Sequence, residues 1–178
     1  KSFFANLFAQ TTSDYISNAT YLLNADSTLH NNIVLKAGSQ LVKPVNLDGY
    51  KNIRTMFTYT FPVKFIKSNL SINTGAGYSK MPSLTNNLPV TTNNYTYNAG
   101  VSIASNISEY VDFNVSYSAN FNNATTKSAV IASKNNFVNQ TTGLQLNLLN
   151  KKGWFIQNDV SNQSYTGLST GLNQSFWL

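Results

Sequence analysis

One histidine, His30, stands alone among 178 residues, and there is no cysteine. A structural or catalytic zinc site needs three or four converging donors, and a nucleophilic relay needs its imidazole held beside an acid. With His30 the only histidine, neither can be assembled within this chain. The acids are Asp14, Asp26, Asp48, Glu109, Asp112 and Asp159. Only Glu109 and Asp112 are close enough in sequence to share acid–base work, and a place in a short turn favours hydrogen bonding to the turn backbone instead. Gly75-Ala76-Gly77 has the small residues of a phosphate cradle, but no helix follows to supply the N-terminal amides. The expectation is therefore no catalytic residue, no bound metal and no cofactor. Ligand contacts, if made by side chains in connections, fall to Tyr21, His30, Tyr95 and Tyr97.

Composition excludes more. Only 10% of residues are charged, against about 25% in a typical soluble domain. Asn, Ser, Thr and Gln fill roughly 40% of the chain, and aromatics reach 13%, which argues against disorder. A water-facing surface carries both charge signs interspersed, and too few charges are present for one. The net charge of +6 invites a nucleic-acid reading, but the lysines are scattered, with Lys151-Lys152 the only doublet, and no basic patch with interleaved stacking aromatics emerges. They read as solvated loop and turn lysines. No run approaches the ~18 apolar residues of a transmembrane helix, and no charged-then-apolar leader opens the chain.

The elements that must position any site are strands. Leu70, Ile72, Thr74, Ala76 and Tyr78 share one parity, against Asn69, Ser71, Asn73, Gly75, Gly77 and Ser79 on the other. Tyr95, Tyr97, Ala99, Val101 and Ile103 oppose Thr96, Asn98, Gly100, Ser102 and Ala104. Val111, Phe113, Val115, Tyr117, Ala119 and Phe121 oppose Asp112, Asn114, Ser116, Ser118 and Asn120. Side chains alternate across a strand, so each segment has one apolar and one small, polar face. Less regular segments precede and follow: residues 3–17, with Phe4 and Phe8 on the inward parity, then 53–61, 141–148, 154–165 and 171–178. About eight strands result, most expected near the 9–11 residues that cross a bilayer.

Connections at 63–68, 106–110 and 150–153 look short, and those at 18–46, 81–94 and 122–136 look long. Pro44, Pro82 and Pro89 are expected in the long ones, where no ladder donor is needed. Aromatics gather at both ends of the strands, as in the girdles of a membrane barrel. The pattern predicts an all-β, antiparallel transmembrane β-barrel with apolar residues toward lipid. Asn69, Ser71, Asn73, Asn98, Ser102, Asn114, Ser116, Ser118 and Asn120 are expected to face the lumen. A soluble sandwich gives the same alternation but places Lys, Glu and Asp on its wet faces, and a solenoid needs a fixed repeat, which is absent.

Several stretches resemble TonB-dependent outer-membrane receptors. They are Phe3-Phe4-Ala5-Asn6-Leu7 with Ser13-Asp14-Tyr15-Ile16, Pro44-Val45-Asn46-Leu47-Asp48-Gly49-Tyr50, Thr58-Tyr59-Thr60-Phe61-Pro62, Asn106-Ile107-Ser108-Glu109-Tyr110-Val111-Asp112-Phe113 and Gln157-Asn158-Asp159-Val160. The likeness covers nearly the whole chain and is to the C-terminal part of the barrel of the outer-membrane β-barrel branch. It implies that residues 1–178 are one partial arc of a barrel of about 22 strands, whose plug, energy-coupling box and last strands are not in this stretch. Lys1 entering directly into a strand, and Phe176-Trp177-Leu178 stopping within one, suit an open arc. The resemblance further implies nutrient uptake or a scaffold for surface lipoproteins in a Gram-negative outer membrane. Membrane lipids, the plug and the TonB energy-coupling protein are the implied partners, and nucleic acid is not one. Two rivals are a free-standing eight-stranded structural or adhesive barrel, and a secreted β-rich adhesin.

Overall fold

The computed structural model describes residues 1–28, 34–108, 110–129, 132–150, 152–167 and 175–177. In chain order the strands are β1 (Ser2–Thr12), β2 (Tyr15–Leu22), the two-residue β3 (Ser27–Thr28) and β4 (Val34–Leu35), and β5 (Gln40–Leu47). There follow β6 (Tyr50–Val63), β7 (Ser68–Thr85), β8 (Leu88–Ser108), β9 (Val111–Ser128), β10 (Ala132–Leu149), β11 (Phe155–Thr166) and β12 (Ser175–Trp177). All but β3 and β4 join one ten-stranded sheet, in the order β1-β6-β7-β8-β9-β10-β11-β12, with β2 and β5 paired off this path.

The alternation in the sequence becomes two continuous faces, because residues directly opposite in an antiparallel ladder share a face. Ile72 faces Tyr59 on one side and Val101 on the other. Val101 faces Tyr117, and Tyr117 faces Thr142. A neighbouring row runs Leu70, Ile103, Val115, Leu144 and Val160. The other face carries Thr58, Asn73, Gly100 and Ser118 in one row. The irregular segments follow suit: Phe3, Ala5, Leu7 and Ala9 of β1 oppose Tyr59, Phe57, Thr55 and Ile53 on the apolar face.

Strands are much longer than a bilayer crossing requires. β7, β9 and β10 have 18 residues each and β8 has 21. The expected long connections at 81–94 and 122–136 are largely strand. β7 and β8 meet at Asn86-Asn87, whose φ values of 49° and 65° are the paired positive angles of a tight hairpin turn, a geometry Asn tolerates well. Pro44, Pro82 and Pro89 accordingly lie in β5, β7 and β8, not in loops. Pro82 costs the β7–β8 ladder nothing. Its carbonyl accepts a hydrogen bond from the Ser17 hydroxyl on β2 at 2.5 Å. In a strand, the N–H and C=O of one residue point the same way, so the missing donor is on the β2 side.

The expected first strand at 3–17 is broken. Asp14, at φ 52°, and Gly49, at φ 95°, kink both arms of the β1/β2–β5/β6 hairpin at one level. The register survives, with Thr12 opposite Tyr50 below and Tyr15 opposite Leu47 above. The Asp14 N–H donates to Asp48 Oδ1 at 2.9 Å, and the rings of Tyr15 and Tyr50 stack with centroids 4.2 Å apart. Below the kink β6 lies beside β7; above it β2 does, in parallel, with Ala19 opposite Leu84 and Thr20 opposite Thr85. The ribbon has crossed over. Its tip grips the Asn86-Asn87 turn through Leu22 N–H to Asn86 Oδ1, Asn86 N–H to the Thr20 carbonyl, and the Tyr21 hydroxyl to Asn87 Oδ1.

Nothing among the described residues covers either face of the sheet. Among the described residues, the buried hydrophobic side chains are Ala19 and Ala119 alone, whereas Leu7 is 72% and Phe3 67% exposed. The surface is 12,425 Å², against about 8,600 Å² for a compact monomer of this mass. A water-soluble domain packs at least two layers around one core, and here there is one layer. The sheet is also open. Among the described residues β1 pairs with β6 and with no other strand, and β12 pairs with β11 and with no other strand.

Candidate functional site

The nine residues expected on one wall do share one face, spread over β7, β8 and β9. Small residues make that wall flat. The Asn98 amide lies over Gly75 and the Asn73 amide over Gly100, reciprocally across β7 and β8, and the Thr96 hydroxyl lies over Gly77. Ser116 covers Gly143 in the same way. Thr60 and Ser71 hydroxyls meet at 2.9 Å, and Asn147 Nδ2 donates to Asp112 Oδ2 at 3.5 Å. This is a surface of amides and hydroxyls, able to donate and accept, with Asp112 and Arg54 among its few charges.

A hollow of about 640 Å³ opens on this face, with Asn6, Phe8, Arg54, Asn98, Asn120 and Asn122 among its lining. Arg54 is the sole arginine, and its guanidinium carbon lies 5.3 Å from the Phe8 ring centroid, within cation–π range. Sequence reasoning missed this pairing, since it depends on the β1–β6 register that sets Phe8 opposite Arg54. The available signal was the anomaly of Phe4 and Phe8 on a polar parity.

The tyrosine candidates do not form a site. Tyr95 and Tyr97 are in the body of β8, not a connection, and stand on the apolar face; Tyr95 packs on Tyr78 at 5.0 Å. Tyr21 belongs to β2, spends its hydroxyl on Asn87 and carries the Lys43 ammonium 4.9 Å over its ring. His30 and Glu109 lie outside the described residues. Asp112 is the second residue of β9, not a turn residue. At the outer tip, Asp26 accepts from the Ala37 N–H at 2.8 Å and from Lys36 Nζ at 3.0 Å. The Ala37 hydrogen bond first, and Lys36 second, hold its carboxyl below the usual carboxylate range. Among the described residues no three His, Cys, Asp or Glu side chains converge as metal ligands.

The strand lysines correct the expectation of loop and turn lysines. Lys51, Lys80, Lys127 and Lys134 are in β6, β7, β9 and β10. Among the described residues no helix is long and apolar enough to cross a membrane, which says nothing of crossing by strands. Compared with family models, curated proteins and solved structures, the chain matches none.

Proposed function

We propose that this chain is a wall segment of an outer-membrane β-barrel of the TonB-dependent receptor type, which takes up a nutrient or serves as a platform for partner lipoproteins. The observation that carries this reading is the single layer whose apolar face nothing covers. From Leu70 to Tyr78 that band spans eight residue steps and from Val111 to Phe121 ten. At ~3.4 Å per residue and a tilt of about 40°, these become ~21–26 Å, close to the ~25 Å lipid-facing band of transmembrane barrels. Tyr78 and Tyr95 border it at one end, and Phe61, Tyr110 and Trp154 at the other, as interfacial aromatics do. In lipid every ladder group needs a partner, so the open edges of β1 and β12 call for further strands. A wall of Gly, Ser and Asn suits a wide lumen around a plug, because small barrels fill their interiors with side chains.

These 178 residues hold no cysteine, so cysteines introduced among them give a direct labelling test. Single cysteines at Val101 and Val115 in the full chain, reconstituted in vesicles, should react with a lipid-confined maleimide and resist a water-soluble one. Cysteines at Asn98 and Ser116 should do the reverse. Equal reaction of all four with the aqueous reagent would sink the membrane reading. A disulfide forming between cysteines placed on β1 and β12 would instead mark a closed small barrel and overturn the receptor type.

A further inference from the structure

We propose that the apolar face ends, at the Tyr78–Tyr95 border, in a binding site for the phosphate headgroups of anionic lipids, built by Lys51, Lys80, Lys127 and Lys134. The proposal rests on the membrane reading above and adds a ligand to it. The ladder defines the site. Ile53, Tyr78 and Tyr95 form one cross-strand row on the apolar face. The next row on the same face, one step beyond, is Lys51, Lys80, Asn93, Thr125 and Lys134. Lys127 stands one step further, opposite Ala132, and is therefore the diagonal neighbour of Lys134.

Two basic pairs result. Lys51 and Lys80 are directly opposite, with Cβ atoms about 5 Å apart in such a pair, and Lys127 and Lys134 are diagonal, at about 7–8 Å. Like charges directly opposite weaken a ladder, so the arrangement is favourable only when an anion sits between them. No carboxylate does so: among the described residues the single ion pair is Lys36–Asp26, in a different part of the chain. Between the pairs stand Asn93 and Thr125, which offer hydrogen bonds but no charge, and the Tyr78 hydroxyl donates to Asn93 Oδ1 at 2.9 Å. Apolar band, phenol row and ammonium row follow the order of acyl chain, interface and headgroup phosphate, and lysine stems cover apolar surface while the ammonium reaches the headgroups. The lysines at the other end differ in placement. Lys64 and Lys67 are in the turn after β6, not on a strand face.

The test is native mass spectrometry of the full chain released from nanodiscs containing equal phosphatidylcholine and phosphatidylglycerol. The wild type should retain phosphatidylglycerol several-fold over phosphatidylcholine, and added salt should reduce the preference. K51N/K80N/K127N/K134N should lose it, K51R/K80R/K127R/K134R should keep it, and K64N/K67N should leave it unchanged. Equal retention in the wild type and the four-Asn variant, with insertion intact, would overturn this proposal and leave the membrane reading standing. Wild-type protein that enters no disc, neutral or anionic, would overturn the membrane reading itself. Displacement of the lipid by millimolar inorganic phosphate would overturn the lipid assignment in favour of a free anion.

Discussion

Val115→Arg is expected to destabilise the chain in a bilayer by about 2–4 kcal/mol, the cost of a guanidinium on the lipid face near the midplane. Val115 is close to the middle of the β9 band and faces Ile103 and Leu144, both apolar. A single step along the strand reverses the outcome. Ser116→Arg places the same cation on the amide-and-hydroxyl face, opposite Ser102 and Gly143, where it keeps polar neighbours and costs far less. Denaturant titration of both variants folded into vesicles measures the difference. Equal losses, or a larger loss at Ser116, would contradict the assignment of the apolar face to lipid, because a register slip of one residue exchanges the faces completely.

Gly75→Ala should cost about 1–3 kcal/mol, the usual range for an overpacked site, although it adds only a methyl group. The new Cβ would lie 2.5 Å from the Thr55 carbonyl oxygen and against the Asn98 amide oxygen. Asn98 can rotate away, but the Thr55 carbonyl is backbone and moves only with β6. Gly143→Ala is the control. There the nearest atom is the Ser116 hydroxyl at 2.9 Å, which turns on one bond, and the stiffer unfolded chain offsets part of the strain by about 0.4–1 kcal/mol. Denaturant midpoints of the two variants should therefore separate clearly. If Gly75→Ala is as stable as Gly143→Ala, the close approach of β6 and β7 at this point is wrong. The result holds whatever the sheet faces, so it tests the fold independently of the membrane.

The faces were legible in the sequence because alternation is a strictly local signal. Leu70, Ile72, Val101, Val115 and Tyr117 declare their parity without knowledge of their neighbours. The strand ends were not. Beyond Tyr78 and before Tyr95 the parities mix, with Lys80 and Asn93 on the apolar face and Met81 and Val90 on the other, and hydrophobic alternation falls silent although the backbone ladder continues. Asn86-Asn87 carried the missing information as a hairpin-turn dipeptide. The crossover of the β1–β6 ribbon had no such signal, since nothing near Thr20 in the chain specifies a parallel partner at Thr85. The hollow at Arg54 was hidden for the same reason: Phe8 and Arg54 are far apart in sequence and meet through register alone.

The grip of β2 on the Asn86-Asn87 turn has a consequence for the order of assembly. Closing a flexible loop between Thr20 and Thr85, 65 residues apart, costs about 3.7 kcal/mol of chain entropy. Once β1, β6 and β7 have zipped to the level of Thr12, Tyr50 and Lys80, the free chain between the same two points shortens to roughly 15 residues and the cost falls to about 2.4 kcal/mol. Hairpins between sequence neighbours form fast and distant pairings slowly, so the crossed arm docks last, onto a ladder already in place. It is correspondingly the first part to undock. Amide exchange at Leu22 and Asn86, whose protection depends on the docked arm, reports that local opening apart from unfolding of the sheet.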